Sequence, residues 1–157
     1  MSEPIHEAYI AILKDNIEEL KRLLDDNDVD IDAFYNKEDT LLILAVRKER
    51  LSTVKVLLSK KADINKKNKY GNTPLITAVN LENFEIAIYL IEQGADINIQ
   101  DPDGNVAIWR CLFYYRKDER YADLARFLNQ HNANLDIKNK VGKTPRDIIN
   151  EDGLKLN

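Results

Sequence analysis

Residues 68–100, reading NKYGNTPLITAVNLENFEIAIYLIEQGADINIQ, decide the fold, because the same pattern recurs on both sides of them at nearly fixed spacing. Stepping back thirty-three residues lays Thr73-Pro74-Leu75-Ile76-Thr77-Ala78-Val79 on Thr40-Leu41-Leu42-Ile43-Leu44-Ala45-Val46 without a gap. The same step lays Gly94-Ala95-Asp96-Ile97-Asn98 on Lys61-Ala62-Asp63-Ile64-Asn65. Forward, Gly71 meets Gly104, and a longer step carries Gly104 to Gly142 and Ala95-Asp96-Ile97-Asn98 to Ala133-Asn134-Leu135-Asp136. Self-similarity at this period marks a stacked array whose units cannot bury their apolar faces alone.

Each position within the unit has a physical reading. Asn68 to Asn72 form a turn in which Gly71 takes a positive φ. Thr73 caps the next helix, and Pro74 sits at its first position, where the missing N–H costs nothing. Leu75, Ala78 and Val79 belong to a short first helix, with the small Ala78 allowing close packing. Residues 83–91 form a longer second helix, on which Phe84, Ala87, Leu90 and Ile91 share an apolar face. Gly94 ends it.

This pattern resembles the ankyrin repeat, whose turn glycine, Thr-Pro-Leu-His, Ala pair, paired leucines and Gly-Ala-Asp-Val-Asn are matched by Gly71, Thr73-Pro74-Leu75, Ala78, Leu90-Ile91 and Gly94-Ala95-Asp96-Ile97-Asn98. The resemblance covers almost the whole chain. It departs at the histidine, replaced by Ile76, Ile43, Trp109 and Asp147, so packing is expected to stand in for the usual side-chain link. The resemblance implies an all-α fold, an α-solenoid of about five ankyrin repeats joined by β-hairpin-like turns. It also implies that partner proteins dock on a concave side made of turn tips and first helices. By position the tip candidates are Tyr35, Asn36, Asp39, Lys69, Tyr70, Asn72, Pro102, Asp103, Asn105, Lys140, Val141 and Lys143. Those on first helices are Arg47, Lys48, Asn80, Leu81, Phe113 and Tyr114.

The 157 residues, 44% hydrophobic and 32% charged, suit one domain with a real core. Its expected units are 1–34, 35–67, 68–100, 101–138 and 139–157. A formal charge of −4 gives no general pull towards nucleic acid or anionic membrane. Cys111 is alone and cannot form an internal disulfide, which suits a reducing compartment. The N-terminus has no basic start or long apolar core, and the longest apolar run, Leu41 to Val46, is too short to span a bilayer. A cytoplasmic location is therefore expected.

The first unit sets Ala8, Ile12 and Leu13 on one helix and Ile17, Leu20, Leu23 and Leu24 on the next, with a polar outer face that suits a cap. The acidic run Asp25 to Asp32 resembles a calcium loop only superficially. Ile31 stands where the loop needs glycine and Lys37 where it needs the bidentate glutamate, so a structural turn is the reading. In the second unit Leu42, Ala45, Leu51, Val54, Leu57 and Leu58 keep the buried face. Lys60, Lys61, Lys66, Lys67 and Lys69 read as a solvated turn and helix end rather than a phosphate site.

The fourth unit departs most. Val106 and Ala107 replace Thr-Pro, and about five residues, Tyr115 to Glu119, are inserted before a helix beginning near Arg120. Four of the twelve aromatics fall between Trp109 and Tyr115, and aromatics with arginine anchor interfaces, so Tyr114, Tyr115 and Arg116 join the candidates. The plainer alternative is a lengthened helix, with Trp109 and Phe113 filling the core. The last unit retains Gly142-Lys143-Thr144-Pro145 but offers only Ile148 and Ile149 for burial, which marks a C-terminal cap, with a tail expected to fray from Gly153.

The two histidines, His6 and His131, are far apart and no Cys/His spacing suits zinc. The five glycines are scattered, and none forms a phosphate-cradling loop. Cys111 falls at the small buried position of Ala45 and Ala78, which predicts an inert thiol. Asp30, Asp63 and Asp96 recur as turn residues rather than as paired acid and base. The reading is a non-catalytic, cofactor-free module, monomeric in isolation, that binds another protein and neither nucleic acid nor membrane. Two alternatives stand beside it: a bacterial inhibitor that neutralises a toxin or enzyme, and, of another class, an enzyme or metal-binding protein using Cys111 or the acidic run.

Overall fold

Threonine and asparagine side chains set most helix starts. The computed structural model describes residues 4–26, 29–35 and 38–156. Thr40 and Thr73 accept the backbone N–H groups of Ile43 and Ile76 at the heads of α3 (Leu41–Arg47) and α5 (Pro74–Asn80). Asn16 and Asn83 do the same for α2 (Ile17–Asp25) and α6 (Phe84–Glu92). Each supplies an acceptor to a helix-terminal donor that has none of its own. The remaining helices are α1 (Pro4–Leu13), α4 (Leu51–Ser59), α7 (Ala107–Tyr114), α8 (Glu119–Gln130) and α9 (Pro145–Asp152).

Among the described residues there is no strand, only the antiparallel bridge between Tyr35 and Asp39. Helices pair into hairpins α1–α2, α3–α4, α5–α6 and α7–α8. Each first helix packs on the next through α1, α3, α5, α7 and α9, and each second helix through α2, α4, α6 and α8. This all-α, repeating stack is the solenoid that the period predicts.

The core follows the small and branched residues of the repeat. Ala45, Ala78 and Cys111 are fully buried in one row, where small side chains let neighbouring first helices approach. Leu57, Leu90 and Leu128 form the matching row on the second helices. Each leucine stabilises the stack by about 1.5–3 kcal/mol through burial. Leu13 is exposed, contrary to expectation, and Ala11 takes its place in the core. On α6 Ile86 is buried, whereas Phe84 is only partly so and lies edge-on to Tyr121.

Polar ladders tie hairpin to hairpin. The Oδ1 atoms of Asp32, Asn65 and Asn98 accept the backbone N–H groups of Asp63, Asp96 and Asn134. Asp30, Asp63, Asp96 and Asn134 each accept the N–H two residues on, closing the turn as expected of side chains that favour such bonds. The acidic run is therefore structural where it is described, with Asp25 paired to Lys60. Asn27, Asp28 and Lys37, which entered the calcium comparison, lie outside the described residues.

Two further readings need correction. The tail does not fray at Gly153: that residue caps α9 in a left-handed conformation, Leu154 N–H bonds to Ile149 O, and Leu156 is only 7% exposed. Burial of Leu156 and partial burial of Leu154 hold the segment down. The start of the insertion is tied down rather than left free for a partner. Tyr115 packs against the core, its hydroxyl donates to Asp152 at 3.0 Å, and Arg116 pairs with the same carboxylate on α9. The added residues also give α8 twelve positions against nine in α6.

Candidate functional site

Turn tips and first helices form one continuous face because the tips are built from their own side chains. In the turns opened by Asn68, Asp101 and Asn139, the leading Oδ1 accepts two backbone N–H groups, those of the second and fourth following residues. Tyr35 cannot do this, and its turn is held by its backbone pair with Asp39. Between tips, Asn68 Nδ2 donates to Asp39 and Asn139 Nδ2 donates to Asn105. Lys69 N–H bonds to Glu38 O, and Lys140 N–H to Asp103 O. Pro102 has no N–H for such a bond, and its ring instead covers Gly71, where an added Cβ would come within 2.7 Å of Pro102 Cγ.

Ion pairs connect tip to helix. Arg47 Nε lies 2.7 Å from Asp39, and Lys143 Nζ lies 2.5 Å from Glu151, at equivalent positions with the charges exchanged. Asn72 faces this position on the third tip and Asn105 on the fourth, with Asn80 and Phe113 as their helix counterparts. Arg110 reaches Asp101 at 3.0 Å, and the Asp101 side chain is only 2% exposed. That carboxylate also holds two turn N–H groups, so removing Arg110 would leave a buried charge less compensated. The Lys69 ammonium beside Glu38 holds that carboxyl below its usual range, and Glu38 raises Lys69 in return.

The candidates divide by exposure. Tyr70, Leu81, Phe113 at 59% and Val141 at 80% are exposed apolar side chains. Lys48, Asn80, Pro102, Asp103 and Lys140 are exposed beside them, as are the paired Arg47, Lys69 and Lys143. Asn105, at 8%, is buried and builds the tip rather than offering a contact. Tyr35, Asp39 and Asn72 are partly buried; Tyr35 stacks on Tyr9, and its hydroxyl and His6 Nδ1 share a hydrogen bond of 2.7 Å. Tyr114 is half-buried between Phe113 and Tyr121. Tyr115 and Arg116 are occupied by Asp152. Asn36 lies outside the described residues.

The aromatic run on α7 splits between core and surface. Trp109 is partly buried and stacks on Phe113 at 5.3 Å and 12°, leaving Phe113 as the outward ring. The Trp109 Nε1–H is buried without an acceptor among the described residues. A cleft of about 360 Å³ is lined by Asn80, Glu82, Arg110, Tyr114, Lys117 and Tyr121. Sequence reasoning missed this cleft. Arg110 was the available signal, since a charged residue replaces Leu44 and Thr77 of the preceding units.

The basic cluster bridges hairpins. Lys60 pairs with Asp25, Lys66 lies over the Phe34 ring at 5.8 Å, and Lys67 Nζ donates to Gln100 O. Burial pushes the Cys111 thiol well above its ordinary range and keeps it protonated. Among the described residues no three His, Cys, Asp or Glu side chains gather as a metal site, and no helix is long and apolar enough to cross a membrane.

A family model described as "Ankyrin repeats (3 copies)" matches residues 8–101, and no curated protein matches the chain. The matched residues run from within α1 through α6 and end at Asp101, the first residue of the fourth tip. With the threonine-capped first helices, the Asx-closed tips and the hairpin stack, that match places the chain in the ankyrin-repeat family.

Proposed function

We propose that this chain is a non-catalytic protein-binding module, one domain of five units with the boundaries read from its period, that engages a partner through the concave face of tips and first helices. Ankyrin repeats are in general modules of protein–protein interaction. The observation that carries the reading is a row of exposed apolar side chains, Tyr70, Leu81, Phe113 and Val141, on tips and first helices already fixed by hydrogen bonds. Aromatic anchors on a preformed surface lose little entropy when they bind.

Immobilised protein and its variants, exposed to lysate of the source organism, test the reading. Tyr70→Ala and Phe113→Ala should each weaken retention of a specific partner by about 1 kcal/mol or more while barely moving the melting temperature. Glu85→Lys, on the exposed side of α6, should retain it. Equal retention by all three, or loss only with Glu85→Lys, would contradict the assignment. Whether the bound partner is inhibited or only held separates an inhibitor from an adaptor.

A further inference from the structure

The cleft beside Phe113 has an unbalanced set of polar groups. Arg110 commits one Nη to Asp101 and keeps further N–H groups for another acceptor. Lys117 is exposed and forms no ion pair among the described residues. The Asn80 amide and the Tyr114 and Tyr121 hydroxyls line the same space, and none of the three donates a hydrogen bond to a described residue. Burial raises the Tyr121 hydroxyl to about 12, so it keeps its proton and can donate. The single carboxylate on the wall, Glu82, already faces Arg120 at 3.7 Å. Donors and cations thus exceed acceptors. Leu81 and Phe113, each next in the chain to a lining residue, Asn80 and Tyr114, are exposed apolar side chains.

We propose that this cleft receives a carboxylate side chain from an extended acidic-apolar segment of the partner protein, whose neighbouring leucine or aromatic side chain lies on Phe113. Charge complementarity selects the occupant: the wall carries two cations, Arg110 and Lys117, against the one carboxylate of Glu82, which Arg120 offsets, so the balance favours an anion over a cation. Phe113 is fixed from below by Trp109 and from the side by Tyr114, so it presents a ring already held in place. This inference rests on the concave-face reading and adds to it the chemistry of the partner.

Trp109 is the only tryptophan, and its stack on Phe113 makes its fluorescence a reporter of occupancy. The probes are an acetylated, amidated peptide Gly-Ser-Leu-Glu-Phe-Asp-Gly-Ser, its Gln/Asn counterpart, and a form with phosphoserine in place of Glu. The acidic peptide should give a saturable change in Trp109 emission that weakens as salt is raised. The amide peptide should bind about tenfold or more weakly, a loss of about 1.4 kcal/mol. Lys117→Glu should weaken the acidic peptide by about as much with an unchanged melting temperature, as should Phe113→Ala. Arg110 is left intact because it also compensates buried Asp101. No saturable change, equal binding of acid and amide peptides, or indifference to Lys117→Glu overturns the proposal. Tighter binding of the phosphoserine form also overturns it, in favour of a phosphorylated segment. If the captured partner is lost with Tyr70→Ala and Phe113→Ala while Lys117→Glu changes nothing, the carboxylate assignment falls and the concave-face reading stands.

Discussion

Lys61 and Asn132 occupy, after α4 and α8, the position that Gly94 holds after α6, and both carry left-handed backbone with φ of 66°. In that region a Cβ crowds the following carbonyl, at a cost of about 1–2 kcal/mol for an ordinary side chain. Asparagine tolerates it better than lysine. Lys61→Gly should therefore raise stability by about 1 kcal/mol, the relief of strain outweighing the added freedom of the unfolded chain. Chemical denaturation checks this, and a loss of stability would show that the lysine side chain does more at this site than its backbone costs. Gly71 is the opposite case, since φ of 77° and the Pro102 ring both exclude a side chain there. At this scale Gly71, Thr73 and the Asp63 and Asp96 turns were legible because each acts on backbone within four residues. Asn105 was not. Its role as acceptor for Asn139 depends on a residue thirty-four positions away.

Val106 heads α7 in the extended conformation that Thr40 and Thr73 adopt at their helices, yet it supplies no side-chain acceptor. Val106→Thr should place a hydroxyl on the Trp109 N–H and stabilise the protein by about 1 kcal/mol. A thermal melt decides it, and destabilisation would mean that the lost methyl matters more than the cap gained. At the other end, α9 begins with a capping box in which Asp147 accepts the Thr144 N–H and hydroxyl. Those bonds, the backbone one first, hold the Asp147 carboxyl below its usual range, and Arg146 does the same for Asp136. A lowered folded-state pKa gives stability that is present above the unfolded value, about 4, and is lost as pH falls through the folded one. Amide exchange over residues 145–152 should accelerate as pH drops below about 4, after correction for intrinsic rates. Asp147→Asn should blunt that response, and an unchanged response would remove Asp147 as its source. Helix positions were legible throughout from caps and periodicity. The tie from Tyr115 and Arg116 to Asp152 was not, because nothing local in an insertion reports a contact across thirty-seven residues.

Over the whole molecule, each hairpin completes its core with the next, and side-chain ladders repeat the arrangement on both edges. Repetition made the stack legible, since one well-formed unit predicted its neighbours. The proposed binding face was legible only as a region: Tyr70, Phe113 and Val141 stand exposed where expected, whereas Asn105 and Tyr115 are held within the structure and Arg116, though exposed, is paired with Asp152. The cleft emerged only when Arg110, Lys117 and Tyr121 were brought together by the longer α8 and the folded insertion. The most direct test of a face built from tips and first helices is amide hydrogen exchange of the protein alone and bound to its captured partner. The account predicts new protection at residues 68–73, 101–106 and 139–143 and at the ends of α5 and α7, with α2, α4, α6 and α8 unchanged. Protection confined to the second helices would contradict it.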